Sequence, residues 1–242
     1  MAEQALILAG AAPDTGNLGV SALCLSVLGA LRDRLPDADV VVLDHGRGRG
    51  PLALFPGATR RGAVWSKRLH RPESMQAAML ADRARLVPHP LRSLFSRVAA
   101  VLDISGGDSF TDLYGPWRFD SVCAPKELAL RRRTPLVLLP QTYGPFASPE
   151  SRARAARIVR GAALAYARDA RSFDILRDLL SDAFDPQRHR VGVDVAFLLP
   201  VQRPDDPAVR EIEPTLERAP VGLNVSGLIW NDPAAARDRF RF

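Results

Sequence analysis

Short apolar runs alternate along the chain with longer runs of helical period. Residues 5–9 are apolar and predict a buried strand, while the apolar positions from Val20 to Leu35 recur at the spacing of one helix face. Further strands are predicted at residues 39–43, 98–104, 135–139, 162–167 and 191–199, and helices at 73–86, 91–97, after Ser148 and over 168–180. Residues 45–72 read as irregular. The alternation predicts an α/β fold with a doubly wound, Rossmann-like parallel sheet.

A proline-rich, charged stretch follows this alternating region. We expect residues 1–205 to form the first domain and 206–220 a linker. Residues 221–242 then read as the start of a second Rossmann-like domain, with a strand at 221–227.

Composition and charge narrow the class of protein. No run reaches the roughly 18 apolar residues of a membrane span, and no basic segment precedes the first apolar run, so we expect a cytoplasmic protein. The two cysteines, Cys24 and Cys123, suit a reducing compartment as small buried residues. The four histidines lack metal-ligand spacing, so no metal site is predicted.

The net charge is +6, and residues 44–103 are rich in arginine. Such a segment suits a phosphorylated substrate, an anionic membrane surface or RNA, although a solvated basic face is the simpler explanation. Because no nucleic-acid motif accompanies the charge, we expect no nucleic-acid partner.

The loop after the first predicted strand holds Gly10, Gly16 and Gly19. Their spacing matches neither the dinucleotide fingerprint nor the Walker motif, so the loop is either a ligand loop or a turn between strand and helix. Asn17 is suited to cap the helix that follows.

Polar residues follow several of the predicted strands. In doubly wound sheets, ligands bind beyond the carboxyl ends of the strands, so these loops are expected to form one cleft. The candidates are Asp14, Thr15, Asn17, Gly106, Gly107, Asp108, Gln141, Tyr143, Arg168, Asp169, Asp194 and Asn224.

Six motifs occur in an order that resembles the polysaccharide pyruvyl transferase family. They are "GNLGVSAL", "DISGGDSFTDLYG", "PLVLLPQTYGPF", "ARDARSFDIL", "VGVDVAFLL" and "VGLNVSG". The resemblance implies two Rossmann-like domains facing a cleft, as in GT-B glycosyltransferases. It also implies transfer of pyruvate from phosphoenolpyruvate to a sugar, as a ketal, during synthesis of a cell-surface polysaccharide. Phosphoenolpyruvate is then the donor substrate and no cofactor is expected.

The resemblance assigns roles to several candidates. Ketal formation needs an acid, a base and a cationic clamp for the donor. Arg168 matches the family's "RD..S" pattern and is the expected clamp, while Asp108 is the expected base or a sugar contact, with Asp112 as a weaker second choice. A local ion pair of Arg168 with Asp169, and a turn-forming role for Asp108, stay open. The expected substrate contacts are Asp14, Asn17, Gly106, Gly107, Gln141, Tyr143 and Asn224.

Members of the family continue well past the point where this sequence stops. We therefore expect a truncated protein with impaired transferase activity, acting on a sugar or a lipid-linked glycan. Peripheral membrane association and oligomeric state stay open. The alternatives are a GT-B glycosyltransferase using a nucleotide sugar and a non-catalytic carbohydrate-binding fragment. A nicotinamide-dependent oxidoreductase is disfavoured by the glycine spacing.

Overall fold

The computed structural model describes residues 5–53, 55–85 and 88–201, together with positions 205, 207, 210, 211 and 221. Its strands are β1 Leu6–Ala9, β2 Val40–Asp44, β3 Arg49–Pro51, β4 Ala58–Gly62, β5 Ala100–Asp103, β6 Leu136–Gln141, β7 Leu164–Ala167 and β8 His189–Val191. Its helices are α1 Leu18–Arg34, α2 Met75–Ala84, α3 Pro90–Phe95, α4 Pro116–Arg132, α5 Pro149–Gly161 and α6 Ala170–Leu180.

The strands form one eight-stranded sheet in the order β3-β4-β2-β1-β5-β6-β7-β8. Only the pair formed by β3 and β4 is antiparallel. The chain winds outward from β1 to β2 on one side and from β5 to β8 on the other. The direction in which successive strands are added to the sheet therefore reverses between β1 and β5. This topology confirms the predicted doubly wound α/β fold.

Helices cover the two faces of the sheet unequally. Successive strand residues point to opposite faces, so Leu8 packs in the cluster that contains α1, whereas Ile7 packs in the larger cluster that contains α2 to α6. Cys24 and Cys123 lie in these two clusters as buried free thiols, as the sequence predicted. Burial raises the pKa of each thiol to about 12.

Two predictions about local structure are wrong. The strand predicted over 191–199 ends at Val191, and Val195–Leu198 forms a 3₁₀ turn instead. The carboxylate of Asp194 starts this turn by accepting the N–H of Ala196 at 2.9 Å. The region predicted to be irregular contains β3 and β4, whose sequences include arginines and glycines rather than an apolar alternation.

The longest helix that the sequence pattern missed is α4. Its apolar positions are interrupted by charged residues, and Pro125 lies inside it, which normally argues against a helix. Phe119, Cys123 and Leu128 nevertheless form a buried stripe on the sheet.

The described residues belong almost entirely to a compact unit, Met1–Pro200. The predicted linker, the predicted second domain and Asn224 lie outside the described residues, apart from single positions. Within the described part of the chain, no helix is long and apolar enough to cross a membrane.

Candidate functional site

A cavity of about 250 Å³ with both polar and apolar lining residues opens where the strand order reverses. It is lined by the loops after β1, β2 and β5, by α4, and by the segment that leads from β4 to the start of α2. Ligands of doubly wound sheets bind at this position, beyond the carboxyl ends of the strands. The volume is slightly below the roughly 300 to 1,000 Å³ of small-molecule pockets, so it suits one sugar ring or a molecule of similar size.

At Gly10 the backbone of the loop after β1 contacts the backbone of the loop after β5. Its φ is +78°, and a Cβ added there would lie 2.4 Å from the backbone nitrogen of Ser105. The N–H of Gly106 donates to the carbonyl of Gly10 at 2.6 Å. Only glycine allows this approach of the two chains, so Gly10 serves the backbone geometry of the cavity wall.

Asn17 lines the cavity and also caps α1. Its side-chain oxygen accepts the N–H of Gly19 at 3.0 Å and that of Val20 at 3.3 Å. The predicted helix cap is therefore confirmed. Asp14 lies on the exposed part of the same loop and does not line the cavity, whereas Gly106 does.

A buried ion pair forms the floor of the cavity. Lys126 Nζ lies 2.8 Å from Asp103 Oδ1, and the two side chains are 0% and 1% exposed. The ammonium also donates to the carbonyl of Val122 at 2.8 Å and lies 5.0 Å from the ring centre of Phe110. The hydroxyl of Ser105 donates to the same carboxylate oxygen at 2.8 Å. Lysine and aspartate are almost never fully buried unless they are paired. The contact between Lys126 and Asp103 therefore allows both charged groups to be buried under the cavity.

Pro125 gives the α4 wall an additional acceptor. Proline has no N–H, so the carbonyl of Ser121, four residues earlier, loses its usual helical donor. Ser121 and Pro125 both line the cavity. The carbonyl of Ser121 can therefore accept a hydrogen bond from a hydroxyl group of a ligand.

The cavity lining also includes aromatic and basic side chains from three different elements. Trp65, His45 and Arg118 all line the cavity. Incomplete hydration and the nearby Arg118 lower the pKa of His45 below its usual value, with Asp44 acting in the opposite direction. The lowered pKa favours the uncharged imidazole.

Arg168 lies beside the glycine pair that follows β5. A Cβ on Gly107 would come within 2.9 Å of its Nη1 atom. The same nitrogen donates to Asp194 Oδ2 at 2.8 Å, while Asp169 is 3.9 Å from the guanidinium. The structure thus brings Arg168 to the loop that contains Asp108. Asp108 is exposed, and its carboxylate accepts the hydroxyl of Tyr114 at 3.4 Å.

Gln141 and Tyr143 are placed differently from what a substrate contact requires. Tyr143 is 1% exposed, its hydroxyl donates to the carbonyl of Tyr166 at 3.2 Å, and burial together with Asp103 raises its pKa well above 10. Gln141 is fully buried and donates to the carbonyl of Asp103 at 3.3 Å. Gln141 therefore supports the end of β5 and Tyr143 supports β7 from within the core, and neither residue lines the cavity.

Sequence reasoning missed Lys126, Asp103, Arg118 and Trp65. One signal was available, since Lys126 is one of only two lysines in a chain whose other basic residues are arginine. The partner of that lysine could be found only from the strand order. Among the described residues, no group of His, Cys, Asp and Glu is arranged to hold a metal ion.

A mostly parallel α/β sheet with a small cavity where the strand order reverses is the arrangement in which doubly wound proteins bind small ligands. The sequence model of the polysaccharide pyruvyl transferase family matches residues 17–234, which is most of the chain. The chain belongs to this family, and the resemblance carried by its motifs is confirmed. Membership indicates a transferase of the polysaccharide pyruvyl type. A search of curated proteins finds no match.

Proposed function

We propose that this chain takes part in transferring the pyruvyl group of phosphoenolpyruvate to a sugar of a cell-surface polysaccharide or its precursor, where it becomes a ketal. The observation that carries the proposal is the cavity at the reversal point of the sheet. Its hydroxyl, carboxylate, carbonyl and guanidinium groups, with an indole beside them, match the hydroxyls and the apolar face of a sugar ring. Membership of the family supplies the reaction class.

The reaction balances with the groups that such a site must supply. Protonation of the methylene carbon makes it the methyl group and leaves a cationic carbon that bears carboxylate and phosphate. One sugar hydroxyl adds to this carbon and loses its proton. Phosphate then leaves, and the second hydroxyl adds and loses its proton, so one ketal and one phosphate ion form. A base and a cationic clamp therefore have defined tasks.

We assign the cavity to the acceptor sugar and Arg168 to the donor. Arginine grips carboxylate and phosphate with paired N–H groups, and Arg168 is partly exposed at the carboxyl edge of the sheet. Asp108, exposed on the neighbouring loop, is the proposed base for an acceptor hydroxyl.

The activity is tested by incubating the purified chain with phosphoenolpyruvate and a panel of methyl hexopyranosides. We expect phosphate release that depends on the sugar, and one pyruvyl ketal per phosphate by mass spectrometry. Nucleotide release from nucleotide sugars, without any reaction of phosphoenolpyruvate, would instead identify a glycosyltransferase.

The role of Arg168 is tested by thermal shift with phosphoenolpyruvate alone. We expect the donor to stabilise the wild type and to lose this effect in Arg168→Ala. Asp194→Asn is the matched control, because it breaks the same ion pair but leaves the guanidinium in place. If Arg168 serves only the ion pair, the two variants will change the shift equally, and the assignment is then wrong.

A further inference from the structure

A recess of about 570 Å³ lies at the opposite edge of the sheet from the cavity, near the amino ends of the strands. It is formed where α2 and α4 end and α3 begins. Six arginines line it, namely Arg83, Arg85, Arg92, Arg131, Arg132 and Arg133. Asp82 is the only acidic residue among the described residues that line this arginine recess.

The positive charge of the arginine recess exceeds the negative charge that lies around it. The carboxylate of Asp82 lies 3.2 Å from Arg132, 3.5 Å from Arg92 and 4.0 Å from Arg131. The carboxyl ends of α2 and α4 each contribute about half a negative charge. Six guanidinium groups thus face about two negative charges, which leaves an excess of about four positive charges.

Three of the arginines are available to an outside partner. Arg83, Arg85 and Arg133 are exposed, and within the described part of the chain none of them makes an ion pair or a side-chain hydrogen bond. Contacts within the described fold therefore do not explain why these three arginines lie together.

An apolar groove continues from the arginine recess between α2, α4 and α5. The groove has a volume of about 830 Å³ and shares Arg83 and Arg131 with the recess. Leu69 and Leu80 line it and are 50% and 48% exposed. Its acidic residues, Asp120 and Glu127, are both paired with Arg154 and add no free negative charge.

We propose that the arginine recess and the apolar groove together dock this protein on an anionic lipid bilayer. The guanidinium groups bind lipid phosphates in pairs of hydrogen bonds, and exposed leucines enter the boundary between headgroups and acyl chains. The inference does not rest on the proposed transfer reaction, because the arginines of the recess do not line the cavity. The far end of the groove reaches Trp65, which also lines the cavity.

The proposal is tested by sedimentation with vesicles of phosphatidylcholine, with and without phosphatidylglycerol. We expect binding only when the anionic lipid is present, and weaker binding as salt is raised. The triple variant Arg83→Gln, Arg85→Gln, Arg133→Gln should bind roughly 100-fold more weakly, since each basic residue near an anionic surface contributes about a fivefold gain.

The matched control removes three exposed arginines elsewhere, as Arg34→Gln, Arg47→Gln and Arg171→Gln. It has the same net charge as the test variant and should bind close to the wild type. A third variant with lysine at positions 83, 85 and 133 should keep most of the binding, which separates loss of charge from misfolding. Equal binding of test and control variants would overturn the proposal. Binding of inorganic diphosphate without any binding to anionic vesicles would also overturn it, since a soluble anion would then be the ligand.

Discussion

At the residue scale, the pair of Lys126 and Asp103 is the most deeply buried ion pair among the described residues. Removing two charges from water costs several kcal/mol per ion, and a single short contact with two further hydrogen bonds offsets that cost. The pair also holds Ser105, whose backbone has a φ of +48° at the point where two loops meet. A change at either charge therefore acts on both the core and the cavity floor.

Lys126→Met is expected to destabilise the chain by about 3–5 kcal/mol, because it leaves the buried carboxylate of Asp103 without its cation. The double variant Lys126→Met, Asp103→Leu removes both charges and should regain part of this loss. Urea unfolding followed by circular dichroism gives the free energy of unfolding of Lys126→Met, of Asp103→Leu and of the double variant, which complete the double-mutant cycle with the wild type. If the two single losses simply add in the double variant, the charges do not depend on each other and the expectation is wrong.

Single residues also show the limit of sequence reasoning. Asn17 could be assigned to the helix cap because its role depends on neighbours along the chain. The role of Gly10 could not be assigned, because it depends on the backbone of Ser105, which is distant in sequence. Tyr143 could not be placed, since an aromatic residue after a strand can face either a ligand or the core. The side chain of Tyr143 lies in the core because it contacts Phe110 and the carbonyl of Tyr166, both of which are distant in sequence.

At the element scale, the start of α5 depends on a carboxylate far away in the sequence. Both oxygens of Asp112 accept the N–H of Ala147, at 2.9 and 3.0 Å, and one accepts that of Ser148 at 3.0 Å. The sequence offered Asp112 as a second choice for the catalytic base. The structure instead occupies both of its oxygens with the backbone that leads into α5.

Asp112→Asn is expected to lower the free energy of unfolding by about 2 kcal/mol near pH 7, through the loss of charged hydrogen bonds. Burial alone would raise the pKa of Asp112, but the N–H groups of Ser148 and Ala147 outweigh it and lower the pKa below 3.8. The stabilisation is therefore complete above the unfolded pKa of about 3.8 and is lost as the pH falls through the lower folded value. Urea unfolding at pH 7 and under strongly acidic conditions should show the difference between wild type and variant shrinking in acid. A constant difference would exclude this ionised carboxylate as the cause.

The elements that the pattern predicted are those with a clear apolar period. The central strands and α1, α2, α5 and α6 agree with prediction to within a few residues. The failures have physical causes: β3 and β4 lie at the edge of the sheet and carry arginine, and α4 contains a proline. Such elements are held by tertiary contacts, which a local pattern does not record.

At the scale of the whole molecule, strand order decides which loops meet. The rule that ligands bind at the carboxyl ends of strands predicted a cleft but could not choose among its loops. Because β1 pairs with both β2 and β5, their three loops enclose the cavity, and Gln141 is left in the core. The fold class could thus be predicted from periodicity, whereas the cavity depends on long-range pairing.

The same topology separates charge between two edges. The cavity at the carboxyl edge pairs Lys126 with Asp103, while the six arginines of the recess at the amino edge face a single carboxylate among the described residues. The arginine-rich composition therefore has a spatial consequence that net charge alone does not reveal.

Ligand binding in the cavity should stabilise the whole chain, because the cavity exists only when β1, β2 and β5 are paired. A methyl hexopyranoside that supports phosphate release, supplied at about 100 times its dissociation constant, should stabilise the protein by about 2.7 kcal/mol. For a chain of this size, that is a rise in Tm of roughly 5–11 °C.

Arg118 is the cavity residue best suited to test this linkage. It is half-buried, and its one side-chain hydrogen bond to a described residue is a long contact of 3.4 Å to the hydroxyl of Ser109. Arg118→Gln should therefore keep the Tm of the unliganded protein, while the loss of a charged hydrogen bond to the sugar weakens affinity about tenfold and reduces the thermal shift. Arg171 is exposed on α6, and the sugar should raise the Tm of Arg171→Gln as much as it raises the Tm of the wild type. An undiminished shift in Arg118→Gln would place the sugar outside the cavity, because a guanidinium on its wall could not then be removed without effect.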